Sequence, residues 1–440
     1  MERIDFNHGR IAWCCQDSGI SLHELALETG VSEVTLNKAL DGERGLTYSQ
    51  LKKIADFFGR GVLFFMEEGE VAPENVHTAA FRSIANQKPN ISHKLRALVE
   101  RTERQRDIYL ELRKDVDGDN VPLFRHPQID QNPLIAAKYA RTWLGLTTQS
   151  TFDQYRTAIE RKGILVFRSN GYQGQWQIAK ENPILGFSIY HAECPLIFVK
   201  KQYSETLQTF TLMHELGHIL IHKHSSIDDD GDLYNLSGPE REANEFAGHI
   251  LVPDEFLKSI NIRDIPLDAS EYDEWLAPQR RRWGVSGEVI LRRLLDNNRI
   301  TQDDYMAYRA WRGSLKIPEL DKGGNRAYRH REPMHIFGDG FVKVVLDSLL
   351  AKNISLAKAS TYLDGIKVKD IQEPEGILCG HLTHHQLSTL GITIQRIIFQ
   401  LYGSGWKIRY SQARSRCQTL PFMRSIIKLL IVESGLRTVR

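Results

Sequence analysis

Residues 209–222 read Thr-Phe-Thr-Leu-Met-His-Glu-Leu-Gly-His-Ile-Leu-Ile-His, and three of them have the types and spacing of a metal-dependent hydrolase. On a helix, His214 and His218 lie one turn apart on the same face, where both imidazoles can bind one zinc ion. Glu215 follows the first histidine directly, so it can act as general base on a water at the metal without being a ligand. Gly217 costs about 1 kcal/mol relative to alanine inside a helix and predicts the close approach of another segment.

A second segment, residues 240–253, offers the carboxylates that such a site needs. A catalytic zinc ion usually has three protein ligands and one open position. Glu240 and Asn244 are four residues apart and share a helix face, so Glu240 is the predicted third ligand and Asn244 is predicted to hydrogen-bond a ligating imidazole. Glu242 points about 200° away from Glu240 and is the alternative ligand. Three further histidines are spare candidates for metal ligands: His222, His224 and His249. Surface or structural roles are the more ordinary interpretation of all three.

The elements that must position these residues follow from the apolar pattern. Helices are predicted at residues 133–144 and 152–162, and strands at residues 164–167, 186–190 and 196–199. Ser204 is predicted to cap the helix that carries the histidines. This order predicts a zincin-like core, in which a small sheet backs the site and residues 196–199 align an extended peptide. Candidates for an additional oxyanion donor are Tyr172, Tyr190 and Tyr234.

The N-terminal residues 8–65 are predicted to form short helices. Ser21 and Glu24 fit a capping box, Gly30 and Val31 fit a tight turn, and Ser32 can cap the next helix. Two capped helices around a glycine turn indicate a helix-turn-helix. Residues 92–114 are predicted to form a long helix, and its many charged residues are expected to face solvent.

Composition limits the class of protein. The chain has 440 residues, 41% of them hydrophobic, and a net charge of +2 that by itself implies no acidic partner. No apolar run is long enough to span a membrane, and residues 1–19 lack a signal-peptide pattern. Five cysteines form neither a Cys-x-x-Cys pair nor a disulfide framework. We therefore expect a cytoplasmic protein with reduced thiols and no membrane partner.

The metal segment and the acidic segment together resemble a known family. Phe-Thr-Leu-Met-His-Glu-Leu-Gly-His followed by Glu-Arg-Glu-Ala-Asn-Glu-Phe-Ala is similar to the ImmA/IrrE family of zinc metallo-endopeptidases. Residues 8–65 resemble the XRE-type (Cro/repressor-like) module of its fused members. The resemblance extends over about residues 8–375. It implies a cytoplasmic peptidase that cleaves a partner transcriptional repressor and so derepresses mobile-element or stress-response genes, with one Zn²⁺ per chain and Mn²⁺ as an alternative ion.

In XRE-type modules the second helix enters the major groove of DNA. Carried over by position, the DNA-facing residues are Ser32, Thr35, Asn37 and Lys38. Residues 1–62 contain seven Lys and Arg against nine Asp and Glu, a net charge of −2. Because phosphate contacts usually dominate DNA affinity, a protein-contact or dimerisation role is the alternative, and a homodimer is compatible with the sequence.

Three further parts of the chain complete the interpretation. Residues 223–239 are predicted to form a loop, and its acidic run at residues 228–232 lacks the EF-hand spacing and is expected to be solvated. Helices are predicted at residues 280–295, 297–308, 341–351 and 356–363, the last capped by Ser355. Residues 376–440 carry nine Lys and Arg and one acidic residue. They are either a basic binding tail or an appended segment without a role.

We therefore predict an α+β multidomain protein with an all-α helix-turn-helix domain, a zincin-like metallopeptidase core with a small sheet, and a helical C-terminal part. The predicted boundaries are 1–66 for the helix-turn-helix domain, 67–125 for a helical connector, 126–275 for the core, 276–375 for a helical accessory domain and 376–440 for the tail. The competing function is a DNA-binding regulator, or an antitoxin-like binding protein, with a structural or sensory metal. Glu215 favours the enzyme, since a structural site would not need that carboxylate.

Overall fold

The computed structural model of the chain describes residues 3–43, 45–72, 84, 87–88, 92–118, 123–147, 151–170, 174–232, 237–315 and 331–367. The predicted basic tail at residues 376–440 lies outside these residues, as do Tyr172 and Tyr234. Among the described residues, no helix combines the length and the apolar character needed to cross a membrane. The domain boundaries given above remain a prediction.

The N-terminal part is a helix-turn-helix with one pair of short antiparallel strands. Its elements are β1 (Arg3–Ile4), α1 (His8–Ser18), α2 (Leu22–Thr29), α3 (Glu33–Leu40), β2 (Leu46–Thr47) and α4 (Tyr48–Phe58). The capping box of Ser21 and Glu24 starts α2, Gly30 ends it at φ +66°, and Ser32 caps α3, as predicted. The domain is not all-α, because β1 and β2 pair as an antiparallel bridge. Val34 on α3 is 65% exposed, whereas Leu36 on the same helix is fully buried.

Six elements lie between this part and the helix that carries His214 and His218, which is called the metal helix below. They are α5 (His93–Asp117), α6 (Pro133–Leu144), α7 (Phe152–Glu160), β3 (Leu165–Arg168), β4 (Ile184–Ile189) and β5 (Leu196–Val199). The charged helix α5 is embedded in the fold rather than solvated, since Glu103 and Arg106 on it are buried. Arg60 of the helix-turn-helix pairs with Glu100 of α5 at 2.9 Å, and both side chains are largely covered. This contact ties the first helices to the rest of the molecule.

The four-stranded sheet corrects one sequence-based expectation. Its order is β3-β5-β4-β6, where β6 is Ser226–Asp229. Strand β5 runs parallel to β3 on one side and antiparallel to β4 on the other. The prediction that residues 196–199 align an extended peptide is therefore wrong, because both edges of that strand are already hydrogen-bonded within the sheet. The edge strands are β3 and β6.

Strand β6 was not predicted. The hydrophilic acidic run at residues 228–232 instead predicts a solvated loop. In the structure β6 pairs antiparallel with β4, and Asp228 is only 2% exposed. Backbone pairing to β4 thus carries a carboxylate into the interior, where it faces the metal helix.

The metal helix and the acidic helix pack directly on each other. They are α8 (Glu205–Gly217), continued by a π-helical turn at His218–His222, and α9 (Gly238–Leu251). A Cβ at Gly217 would lie 3.3 Å from Ala243 Cα and 3.2 Å from Phe246 Cδ1. The predicted close approach at Gly217 is therefore confirmed, and its partner is α9.

The C-terminal elements are α10 (Asp254–Leu257), α11 (Tyr272–Trp275), α12 (Ala277–Trp283), α13 (Gly287–Asp296), α14 (Gln302–Ser314), α15 (Glu332–Leu350) and α16 (Leu356–Tyr362). The single helix predicted at residues 280–295 is two helices, because Gly284 ends α12 in a left-handed conformation at φ +63°. Buried Arg156 donates to the carbonyls of residues 334, 335 and 336 and to Val166 O, which holds α15 against β3.

Candidate metal centre

Local structure presents the histidines as predicted. Ser204 accepts a hydrogen bond from the Leu207 N–H and starts α8, and the helix then runs through the core. His214, Glu215 and His218 are all fully buried. Burial of three ionisable side chains on one apolar helix is costly unless they are paired or bind an ion.

Four side chains converge at one point in the core. His214 Nε2 and His218 Nε2 lie 3.1 Å apart. Glu240 Oε2 lies 3.2 Å from the first of these nitrogens and 3.4 Å from the second. Asp228 Oδ2 lies 3.4 Å and 3.7 Å from the same two atoms. One ligand atom from each residue falls within a cluster 4.8 Å across.

Asn244 holds the imidazole of His214 in place. Its Oδ1 lies 2.9 Å from His214 Nδ1, and its amide Nδ2 donates to Asp232 O at 2.9 Å. Because the amide nitrogen is committed to a carbonyl, Oδ1 must accept, and His214 carries its proton on Nδ1. In the neutral ring that a metal ligand requires, the lone pair on His214 Nε2 is thereby directed at the other three groups.

Glu242 lies outside the cluster. Its Oε2 is 3.0 Å from His222 Nε2, and its side chain is 46% exposed. His222 in turn faces His218 through the two Nδ1 atoms, 3.0 Å apart. His224 stands near these two rings, and one nitrogen each from His218, His222 and His224 forms a second group that could hold an ion. Among the described residues, His249 belongs to neither group.

Asp228 is the site residue that the sequence interpretation missed. The signal for it was weak, since it is one of several acids in a short run. Its Oδ1 accepts a hydrogen bond from Ser226 Oγ at 2.9 Å, which leaves Oδ2 directed at the histidines. The site thus has two nitrogen and two carboxylate donors, a set that suits Zn²⁺ and other first-row divalent ions.

The charge balance of the cluster fits a bound cation. Burial opposes the charged form of His214, but Asp228 and Glu240 outweigh it and raise the pKa of His214 to about 10. The surroundings of His214 therefore favour a positive charge. Both oxygens of Glu215 and Asp228 Oδ2 are buried without a hydrogen-bond partner in the described part of the chain. A divalent ion beside these atoms would offset the cost of burying them.

Glu215 is close to the cluster but is not one of its four members. Burial, followed by the negative charge of Asp228, raises the pKa of the Glu215 carboxyl well above its usual value. Strand β4 passes directly over it, because a Cβ at Gly186 would lie 2.9 Å from Glu215 Oε1 and 2.8 Å from Thr211 Cγ2. Only glycine leaves this carboxylate room at that point of the strand.

The predicted DNA-facing residues lie together on α3. Ser32 caps the helix by accepting a hydrogen bond from the Thr35 N–H, and the hydroxyl groups of Ser32 and Thr35 lie 2.8 Å apart. Asn37 and Lys38 are exposed on its outer side. Their part in DNA contact remains a prediction.

Comparison with known families gives two matches. Residues 159–295 match a peptidase family model described as an IrrE N-terminal-like domain. Residues 11–65 match a family model described as helix-turn-helix. The first match includes all four members of the cluster together with Glu215, Glu242 and Asn244. No curated protein matches the chain.

Proposed function

We propose that this chain, a protein of the ImmA/IrrE type, is a cytoplasmic zinc-dependent endopeptidase with a zincin-like core. The type is indicated by its IrrE N-terminal-like peptidase domain and its N-terminal helix-turn-helix. Its substrate would be a regulatory protein, a transcriptional repressor in particular. The helix-turn-helix would bring the enzyme to DNA or to that partner.

One observation carries the proposal. A fully buried carboxylate, Glu215, stands beside a four-group metal cluster, outside its ligand set and with both oxygens unpaired among the described residues. A site with only a structural role gains nothing from a buried ionisable side chain in this position. A hydrolase needs a proton acceptor at that place.

The roles of the residues follow from their positions. His214, His218 and Glu240 would hold the ion, and Asp228 would lie beside them as a neighbouring carboxylate, so that one position stays open for water. When bound, a zinc ion polarises the scissile carbonyl and lowers the pKa of water to about 7. Glu215 would accept a proton from the attacking water on a carboxylate oxygen and pass it to the nitrogen of the leaving amine. Asn244 would keep His214 in the ligating tautomer.

The sheet offers a different peptide site from the one expected. Strand β6 is an edge strand and carries Asp228. On its outer edge, Gln87 Nε2 donates to Ser225 O at 2.7 Å and Gln87 Oε1 accepts from Ile227 N at 3.3 Å. These are the two bonds that a peptide backbone would make on joining the sheet. Substrate would therefore align along β6 by displacing the Gln87 amide.

The decisive experiment separates metal binding from catalysis. Purified protein should contain about one zinc ion per chain, and His214→Ala should remove it. Glu215→Gln should keep the zinc and abolish cleavage of a cognate repressor into two fragments. Casein, included as a nonspecific substrate, should stay intact. Full cleavage by Glu215→Gln, or rapid casein digestion without a preferred bond, would refute the proposed mechanism and specificity respectively.

A second candidate function rests on Asp228. Four protein ligands close a zinc site, and closed sites are structural or sensory. A metal-sensing regulator built on His214, His218, Asp228 and Glu240 would bind its operator with an affinity that depends on zinc, and Glu215→Gln would change neither property. An operator-binding titration of wild type and Glu215→Gln, with and without zinc, distinguishes this candidate from the peptidase.

A further inference from the structure

A chain of polar contacts leads away from the metal cluster through His218, His222 and Glu242. His218 Nδ1 lies 3.0 Å from His222 Nδ1, and His222 Nε2 lies 3.0 Å from Glu242 Oε2. His222 has only about a tenth of its side chain exposed, whereas Glu242 reaches solvent. The chain therefore connects a buried ring to a carboxylate at the surface.

The helix is distorted where these two histidines face each other. Residues His218–His222 form a π turn, in which the Lys223 N–H donates to His218 O at 2.9 Å. A regular α-helix would direct that N–H to residue 219. Lys223 closes the turn at φ +55°, a conformation that is uncommon for a residue with a side chain. π turns inside α-helices occur frequently at functional sites.

One arrangement of protons satisfies every contact of the chain. His218 Nε2 faces the metal cluster and must present a lone pair there, so His218 carries its proton on Nδ1. That proton is donated to His222 Nδ1, and His222 then carries its own proton on Nε2. Glu242 accepts the hydrogen bond from His222 Nε2–H through its Oε2.

We propose that His222 and Glu242 are positioning residues, which fix the tautomer and the ring orientation of the ligand His218. This inference rests on the proposed metal site. Three residues of α9 would then act on the site. Glu240 enters the cluster, Asn244 orients His214, and Glu242 orients His218 through His222. Loss of such an outer partner typically lowers metal affinity about 10–100-fold.

A second metal ion is the competing interpretation of the same residues. One nitrogen each from His218, His222 and His224 lies within a group that could hold an ion. His218 would then have to bind one ion through each ring nitrogen, which requires loss of both ring protons. The hydrogen-bonded chain needs neutral rings only, and its two contacts have hydrogen-bond lengths.

The test uses metal affinity and a spectroscopic signal, so it does not depend on peptidase activity. Zinc affinity of the full chain is measured by competition with a chelator, and the Co²⁺-substituted protein gives the visible absorption of the site. His222→Leu cannot accept from His218 and should lower zinc affinity about 10–100-fold. His222→Gln keeps an accepting oxygen and a donating nitrogen, and should stay within about threefold of wild type with a wild-type cobalt spectrum.

His224→Leu is the matched control, because His224 belongs to the second histidine cluster but not to the proposed chain. It should leave affinity and stoichiometry unchanged. Two ions per chain in the wild type, with one lost in both His222→Leu and His224→Leu, would establish a second metal site and overturn the inference. Equal affinities in wild type and His222→Leu would also overturn it. If the variants give the expected zinc affinities but the protein cleaves no substrate, only the proposed peptidase function is refuted.

Discussion

Glu240 and Glu242 are two residues apart on one helix, and of the two Glu240 alone lies in the four-residue cluster with His214, His218 and Asp228. Glu240→Ala removes a group that lies 3.2 Å from His214 Nε2. Glu242→Ala removes a group whose Oε2 lies 3.0 Å from His222 Nε2 and outside the four-residue cluster. We expect Glu240→Ala to lose zinc far more readily than Glu242→Ala.

The size of the difference follows from the number of groups in the cluster. Folded zinc sites bind their ion with about 10–16 kcal/mol. Shared among four groups, this is about 2.5–4 kcal/mol for each, or roughly 10²–10³-fold in affinity. Glu242 acts through two rings and is half exposed, so water can replace it as an acceptor. Its removal should cost about tenfold or less, at the lower end of outer-partner effects.

The assay is equilibrium competition with a chelator of known zinc affinity, supported by the zinc content of each variant after dialysis. Glu245→Ala is the matched control, since Glu245 lies on the same helix and pairs with Arg241 outside the cluster. A larger loss in Glu242→Ala than in Glu240→Ala would refute the reasoning and make Glu242 the ligand. Equally small losses in both variants would leave Asp228 as the third ligand.

Three further predictions concern packing, pH and DNA. Gly217→Val places a side chain 3.2 Å from Phe246 and should lower the free energy of unfolding by about 1–3 kcal/mol in urea titration, with loss of zinc affinity as α9 is displaced. Burial, then the charge of Arg168, lowers the pKa of His335 to about 3, so the unfolded chain binds a proton below about pH 6.5 that the folded chain does not. Stability should therefore fall by a few kcal/mol between about pH 6.5 and 3, and His335→Gln should flatten that dependence. Lys38→Ala should weaken operator binding by the full chain and reduce its salt dependence.

Each of these has a clear contrary outcome. Unchanged stability of Gly217→Val would mean that α8 and α9 do not approach as closely as the structure places them. An acid-unfolding profile of His335→Gln identical to the wild type would assign the titration to other groups. No specific binding by the wild-type chain to any operator fragment would favour protein contact as the role of the helix-turn-helix.

The sequence by itself determined the local features of this protein. A spacing of four residues on a helix of 3.6 residues per turn places His214 and His218 together whatever the rest of the chain does. Capping residues such as Ser21, Ser32 and Ser204 act on N–H groups two or three residues away, so their helix starts could be predicted correctly.

Other features depended on contacts between segments far apart in the chain. Asp228 reads as one of several loop acids, and only the pairing of β6 with β4 makes it a buried member of the cluster. Strand β5 was recognised, but its place inside the sheet depends on neighbours that no local pattern specifies. The chain from His218 through His222 to Glu242 required both the π turn and the packing of α9 on α8. Spacing along one helix is fixed by its own hydrogen bonds, whereas contacts between elements are chosen by how their surfaces pack.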